Sequence, residues 1–405
     1  MSDGRKRRLE KNFFKIFFIN SLLNVKMVNA IISLFYVYRS LTVADIFYLG
    51  IVYSVAVIAS EVPSSYLADR FGRKRTIVMA TFFGLLHWVF YLVADSFVLF
   101  AVGTICYALT ESCMSGTDEA FVFDSNKELG NHSESLKKIA RYFSSERLFK
   151  IFSAFLGAVI AKDLADWQFS LIILVDIVAS VIALVYAFTL TEPNHYIDVE
   201  KQEAGIIKDA YKILINDKNL LRAIFNKLII LILTAACWRY AAVLFVENLH
   251  IPIIIFGFLW SVYHMTMFVG NYFAHAIWSE KPIAFKIDSL NVIICIALLL
   301  FLLTWFLYPE RYIMFGLYII IMAAASLRDP FFSHLFNMQF SSYNRATTLS
   351  LANFVRHILE VPFLLVIAWA VNQHIILPYA VALLLGGVVI VYFPIKTGFN
   401  DKLYA

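Results

Sequence analysis

Long apolar runs recur along this chain from one end to the other and constrain its fold most. Crossing the roughly 30 Å hydrocarbon core of a bilayer takes about 20 mostly apolar residues in a helix. Because helices satisfy their own backbone hydrogen bonds in lipid, the runs predict an all-α, multi-pass membrane protein. The runs number about twelve and cover residues 13–36, 43–68, 76–95, 97–123, 146–164, 168–190, 221–246, 252–278, 283–307, 312–335, 347–371 and 375–394.

Composition excludes most soluble functions. The 405 residues are 61% hydrophobic and only 16% charged, whereas a soluble domain carries roughly 25% charged residues. The sequence shows no catalytic His/Asp cluster, no metal-ligand spacing, no phosphate-binding glycine loop and no soluble domain for ATP hydrolysis. It therefore predicts a protein that is not an enzyme and uses no cofactor or metal. Its four cysteines lie within apolar runs without a CxxC pair, so no disulfide framework is expected.

Basic residues predict the orientation of the spans. They concentrate in the N-terminal tail and in alternate loops, and this asymmetry marks the cytoplasmic side. We expect both termini in the cytoplasm, with the protein in the bacterial inner (plasma) membrane. The net charge of +5 is then explained by anchoring at the inner surface, and no nucleic-acid partner is indicated. The first basic residues on the predicted inside are Arg5, Lys6, Arg7, Arg8, Arg70, Arg73, Lys74 and Arg75, and those outside are Arg39, Lys162 and Arg311.

The longest break between spans predicts the domain organisation. Residues 191–220 separate six spans from six. We expect an N-terminal six-helix bundle over 1–190, a cytoplasmic linker over 191–220 and a C-terminal six-helix bundle over 221–405. Transporters built from two halves form a central site near the bilayer midplane.

A motif after the second span carries a family resemblance. The chain reads Leu67-Ala-Asp-Arg-Phe-Gly-Arg-Lys-Arg75, and this run resembles the signature of the major facilitator superfamily between helices 2 and 3. The run Glu61-Val-Pro-Ser-Ser before it and the segment 115–125 also resemble stretches of bacterial members. The resemblance implies two six-helix bundles, a monomer, and a cytoplasmic gate built from Glu61, Asp69, Arg70, Gly72, Arg73, Lys74 and Asp124.

Departures from the family pattern bear on the substrate. The leading glycine of the signature is replaced by serine, and no clear second copy occurs near residues 279–286. The fourth span lacks the RxxqG motif of proton-coupled drug exporters, and the fifth lacks the Gly-Pro motif of antiporters. These absences weaken a drug-export interpretation.

Ionisable residues within the spans are the candidate site residues. Each costs at least ~2.5–3.5 kcal/mol at the bilayer centre, so each should be paired or functional. Lys26 in span 1 and Glu111 in span 4 are predicted to pair, and Asp118 is expected seven residues along the same helix face. Arg356 and Glu360 are four residues apart and could pair within span 11. The full candidate set is Lys26, Glu111, Asp118, Arg239, Arg328, Arg356 and Glu360.

These residues predict a secondary active transporter of a small polar, charged solute that works by alternating access. A buried carboxylate can exchange protons at ordinary pH, because burial disfavours its charged form. Glu111 is the first candidate for proton coupling and Asp118 the second, with sodium as the alternative ion. The basic residues would make the cavity receptive to a carboxylate or phosphate group. Multidrug efflux of lipophilic compounds by proton antiport is the alternative function.

Overall fold

The computed structural model describes residues 2–130, 149–194, 218–273, 280–339 and 345–395, and every regular element in these ranges is helical. The helices of the N-terminal part are α1 Asp3–Glu10, α2 Asn12–Leu23, α3 Ile32–Tyr38, α4 Val43–Phe71, α5 Arg73–Val93, α6 Phe97–Met114, α7 Thr117–Glu128, α8 Phe149–Ile160 and α9 Asp166–Phe188. Those of the C-terminal part are α10 Lys218–Arg239, α11 Ile253–Phe273, α12 Ile283–Leu307, α13 Arg311–Gln339, α14 Arg345–Gln373 and α15 Leu377–Tyr392.

The helix lengths confirm a multi-pass membrane fold. In the described ranges, 8 helices are long and apolar enough to cross a bilayer, and four shorter apolar helices stand at other predicted spans. The total agrees with the prediction of about twelve spans. Large apolar side chains project from these helices, among them Leu307 at 79% exposure, Phe306 at 69% and Trp369 at 63%. Exposed apolar area of this extent marks a surface that contacts lipid.

The chain forms two compact units. The first comprises Met1–Ile197 together with Pro252–Ser261, and the second comprises Asp198–Ile251 together with Val262–Ala405. The predicted domain boundaries stay a prediction. Residues 131–148 and 195–217, which include most of the predicted linker, lie outside the described residues.

The first span is interrupted, where the sequence predicted a continuous helix over 13–36. Helix α2 ends at Leu23, and α3 begins only after a short 3-10 turn over Asn29–Ile31. The fully buried Asp176 of α9 accepts hydrogen bonds from the Met27 amide at 3.1 Å to each carboxylate oxygen. This carboxylate supplies the partner that the interrupted helix no longer provides within itself.

Helix α8 approaches the interruption closely. A Cβ at Gly157 would lie 1.9 Å from the carbonyl oxygen of Met27. Only glycine allows such an approach of two backbones. Two helices therefore stabilise the interrupted segment. Asp176 of α9 binds its backbone amide, and Gly157 of α8 lets the two backbones pack closely because it has no side chain.

The fourth span is interrupted as well. Helix α6 ends at Met114, and α7 begins at Thr117 after Gly116, which has a positive φ of 71°. The expectation that Asp118 lies on the same continuous helix as Glu111 is therefore wrong. A left-handed residue ends the regular α-helical hydrogen bonding at that point.

Aromatic packing holds the helices of each unit together. In the first unit, a Cβ at Gly103 would lie 2.7 Å from the ring of Tyr91, and the Tyr91 hydroxyl lies 2.8 Å from that of Tyr36. In the second unit, Phe301 stacks on Tyr379 with ring centroids 4.4 Å apart. Small residues and paired aromatics are the usual means of close helix packing in lipid.

Candidate functional site

A cavity of about 300 Å³ lies within the first unit. Ionisable and amide side chains surround it together with aromatic rings, and polar groups that converge on a cavity can orient a small-molecule ligand there. Both interrupted spans contribute to its wall. The lining residues are Asn20, Leu23, Asn24, Lys26, Gly84, His87, Trp88, Tyr107, Thr110, Glu111, Met114, Ser115, Gly116, Asp118, Glu119 and Lys150.

Lys26 and Glu111 face each other across this cavity. The Lys26 ammonium lies 3.8 Å from the nearer Glu111 carboxylate oxygen, and their side chains are 12% and 47% exposed. That distance permits electrostatic attraction but is too long for a hydrogen bond. The ammonium instead donates to the Tyr107 hydroxyl at 2.9 Å and lies 4.7 Å from the centre of that ring.

The interruption of span 1 explains the position of Lys26. The residue lies between the end of α2 at Leu23 and the turn that begins at Asn29. Its neighbour Met27 is the one fixed by Asp176. The position of the ammonium therefore depends on a backbone conformation that α8 and α9 maintain.

Further charges lie at the edge of the same cavity. Asp118 and Glu119 occupy the first turn of α7, and Lys150 lies in the first turn of α8. Three carboxylates and two ammonium groups thus line the cavity. Three of the predicted site residues, Lys26, Glu111 and Asp118, line this cavity.

A second cluster of charges lies in the second unit. Arg239 of α10 donates to Glu360 of α14 at 2.8 Å, and His357 approaches the other carboxylate oxygen at 3.5 Å. Arg356 lies 2.9 Å from the far ring nitrogen of His357. Glu360 is therefore hydrogen-bonded by Arg239 of another helix, while the Arg356 guanidinium, predicted to pair with Glu360, lies against the ring of His357.

Arg328 and Asp329, which are adjacent in the sequence, have separate partners. The Arg328 guanidinium is 3% exposed and donates to the side-chain oxygen of Asn226 at 2.7 Å and to its carbonyl at 3.0 Å. Asp329 lies 3.9 Å from the ammonium of Lys227. Both Arg239 and Arg328 are thus engaged by groups of the protein itself.

The motif after the second span forms a tight turn between α4 and α5. Gly72 ends α4 with φ of 99°, a conformation that side chains disfavour. The Glu192 carboxylate, which follows α9, accepts hydrogen bonds from the amides of Arg73 at 2.8 Å and Lys74 at 2.7 Å. A carboxylate at the first turn of α5 satisfies amides that have no partner within the helix.

A salt bridge joins this turn to α7. The Arg73 guanidinium lies 2.6 Å from the Asp124 carboxylate, and both side chains are 14% exposed. The exposed Arg70 donates instead to the hydroxyl of Tyr66. Of the other predicted gate residues, Asp69 lies in the last turns of α4, and the main-chain carbonyl of Glu61 accepts from Ser64 at 2.9 Å.

The N-terminal helix joins the same end of the first unit. Arg5 of α1 donates to both carboxylate oxygens of Glu128 at 2.6 and 3.0 Å, and to the side chain of Asn194 at 3.1 Å. The hydrogen bonds that the Arg5 guanidinium donates to Glu128 raise the pKa of that guanidinium. Helices α1, α5 and α7 are thereby connected to the segment that follows α9.

Comparison with known proteins identifies the family. The model of the Major Facilitator Superfamily matches residues 16–362 of this chain. The chain belongs to the Major Facilitator Superfamily. It is a multi-pass membrane protein of a family of transporters that bind small-molecule substrates in the membrane.

One curated relative matches in part. The uncharacterized MFS-type transporter YxaM of Bacillus subtilis (strain 168) is 27% identical over 175 residues, which are 43% of this chain and 43% of that protein. The match thus spans less than half the length of the relative.

Solved structures of transporters share the fold over nearly the whole chain. The nucleoside transporter NupG has a TM-score of 0.73 at 13% identity and covers 98% of this chain and 100% of its own. A D-xylose-proton symporter has a TM-score of 0.72 at 12% identity over the same shares. A bacterial homologue of the human lysosomal transporter Spinster has a TM-score of 0.68 at 14% identity, with 98% and 97% covered. Such identities show the fold alone.

Sequence reasoning missed several residues of this major facilitator. Tyr107 and Trp88 line the cavity but are ordinary aromatic residues in apolar runs. Glu192 lies 119 positions beyond the amide of Arg73, and the sequence gives no signal that the two meet. Asp176 is a charge within the sixth predicted span, but the sequence gives no signal that it binds the Met27 amide.

Proposed function

We propose that the chain is a secondary active transporter that moves a small polar, charged solute by alternating access, coupled to protons. The cavity with Lys26 on one side and Glu111 on the other carries this proposal. Its volume of about 300 Å³ lies at the lower end of small-molecule sites, roughly 300–1,000 Å³. Ionisable residues at membrane depth are functional by default, because each is costly to keep there.

Glu111 is the proposed proton-coupling residue, and Asp118 is the second candidate. The Glu111 side chain is 47% exposed and lies 3.8 Å from Lys26, so a proton can reach it from the cavity. Protonation would cancel its attraction for the ammonium and change the charge that the solute meets. In the second unit, the proposed substrate-binding or proton-coupling residues are Arg239, Arg328, Arg356 and Glu360.

The cytoplasmic gate is proposed at the turn after α4. The Arg73–Asp124 salt bridge and the Glu192 carboxylate on the start of α5 support a lock that loosens as the protein opens inward. The basic residues of this turn support a cytoplasmic position. We infer a monomer in the bacterial inner membrane, with both termini in the cytoplasm.

The test uses the purified full chain in liposomes that hold a pH-sensitive dye. Proton movement is recorded as panels of anionic, zwitterionic and lipophilic cationic compounds are added. Glu111→Gln should abolish gradient-driven accumulation while leaving solute exchange intact. Glu247→Gln makes the same chemical change at an exposed residue away from the cavity and should behave as the parent.

The outcomes separate the alternatives. Proton movement with a polar solute that is lost in Glu111→Gln supports the proposal. Movement only with lipophilic cations would instead indicate multidrug efflux. Unchanged accumulation in Glu111→Gln would remove that residue from the coupling role, and silence with every compound would contradict proton coupling.

A further inference from the structure

The distance between Lys26 and Glu111 bears on what the cavity can bind. At 3.8 Å the two groups attract each other without sharing a hydrogen bond. One Lys26 donor is used by Tyr107. Within the described part of the chain, no other residue hydrogen-bonds either charged group. Each therefore keeps hydrogen-bonding capacity for a ligand.

A ligand with a single charge gains little in such a place. An anion that contacts the Lys26 ammonium is also repelled by the Glu111 carboxylate, which lies 3.8 Å from that ammonium, and the repulsion offsets part of the attraction. A cation at Glu111 meets the Lys26 ammonium in the same way. A lone charge of either sign is therefore attracted by one residue of the pair and repelled by the other.

A ligand with both charges escapes this cancellation. Its anionic group can lie against Lys26 while its cationic group lies against Glu111, so that each charge of the ligand contacts a protein group of the opposite sign. The paired arrangement satisfies both protein groups and adds charge-assisted hydrogen bonds. The Tyr107 ring beside the ammonium and Trp88 in the wall supply surface for the remainder of the ligand.

We propose that this cavity binds a zwitterion, a solute that carries an ammonium group and a carboxylate a few ångströms apart. The proposal rests on the transport function proposed above, because it assumes that the cavity is the solute site. It narrows the substrate class from a charged solute to one with both charges.

The test measures binding to the purified full chain by titration calorimetry with matched probes. Alanine, leucine and phenylalanine are compared with ethylamine, 3-methylbutylamine and 2-phenylethylamine, which lack the carboxylate. They are also compared with propionate, 4-methylpentanoate and 3-phenylpropionate, which lack the amine. At least one amino acid should bind tenfold or more tightly than both of its singly charged analogues.

Charge-neutral variants of Lys26 and Glu111 should change the relative affinities for the acid and the amine. Residues with only a structural role would not produce such a change. In Glu111→Gln the acid should bind more tightly than the amine, and in Lys26→Gln the order should reverse. Glu247→Gln and Lys162→Gln are the matched controls, since both residues are exposed and absent from the cavity wall. Both controls should retain the preference of the parent.

Several results would overturn the proposal. One is an acid or amine that binds within threefold of its amino acid, and another is the failure of every amino acid to bind. A third is the same order of preference in both neutral variants. If an anion drives proton movement in liposomes while no amino acid binds, zwitterion binding is contradicted and the proposed proton-coupled transport is supported. If amino acids bind with the expected pattern but no proton moves, proton coupling is contradicted and the zwitterionic substrate class is supported.

Discussion

Replacing Gly157 by alanine would press a methyl group into the main chain of the interrupted first span. The added Cβ would lie 1.9 Å from the Met27 carbonyl oxygen and 2.6 Å from its carbon, whereas ordinary contact begins at 3.4 Å. The two segments must therefore separate by more than an ångström. Because both contacts are backbone atoms, no side-chain rotation can relieve them.

Two effects follow from this separation. Overpacking of a well-packed interior costs about 1–3 kcal/mol and occasionally more, and the Gly157 contact lies at the upper end because backbone must move. Met27 adjoins Lys26, so the ammonium moves with it. A displacement of about 1 Å in a binding group can reduce activity on the order of a hundredfold.

The assay combines the unfolding temperature of the purified protein with solute-driven proton movement in liposomes. Gly157→Ala should lower the unfolding temperature by several degrees and lose most of the transport. Gly387→Ala and Gly316→Ala are matched controls, because no described atom lies within 4 Å of the added carbon at either position. These helical positions should be unchanged or stabilised, since alanine favours a helix by about 1 kcal/mol over glycine.

The reasoning would be refuted if Gly157→Ala melted at the temperature of Gly387→Ala and transported at the parental rate. Such a result would mean that the close approach of α8 to the first span does not exist in the protein.

Three further predictions concern turns and ion pairs. Gly72→Ala should lower the free energy of unfolding by about 1–3 kcal/mol, because residues with a side chain rarely adopt a φ of 99°. An unchanged melting temperature would contradict the turn conformation at Gly72. Arg73→Asp should destabilise the protein and the exchanged pair Arg73→Asp with Asp124→Arg should recover part of the loss, since their salt bridge is largely buried; equal melting of the single and double variants would exclude the pair. Arg239→Gln should cost up to about 3–5 kcal/mol, because the buried Glu360 carboxylate loses its 2.8 Å partner and retains the weaker contact with His357 at 3.5 Å. Glu360→Gln in the same chain should restore most of the loss, whereas loss of transport at full stability would place Arg239 in a binding role.

The spans could be predicted because hydropathy reports the length of apolar sequence, and length decides whether a helix crosses a bilayer. The predicted range 43–68 became α4 over Val43–Phe71, and 283–307 became α12 over Ile283–Leu307. Composition says nothing, however, about whether the backbone hydrogen bonds continue through a run. The interruption after Leu23 was missed for that reason, although Asn20, Asn24 and Lys26 made the run unusually polar.

The candidate site was predicted in part. A charge within a membrane span is costly, so Lys26, Glu111 and Asp118 stood out from the sequence, and all three line one cavity. The partners of a charge are harder to predict, because they come from distant helices. Glu360 pairs with Arg239 of another helix and not with Arg356 of its own helix. The spacing of residues along one helix cannot indicate a partner on another.

The Glu192 carboxylate that closes the turn at Gly72 also has a consequence for biosynthesis. Its partners, the amides of Arg73 and Lys74, precede it by 119 and 118 residues. A ribosome adds roughly 5–20 residues per second, so these amides emerge on the order of ten seconds before the group that caps them. The start of the third span therefore reaches its final bonding only after the sixth span has been synthesised. A nascent chain that ends before residue 192 would contain the whole family motif and yet lack the cap that makes the turn rigid.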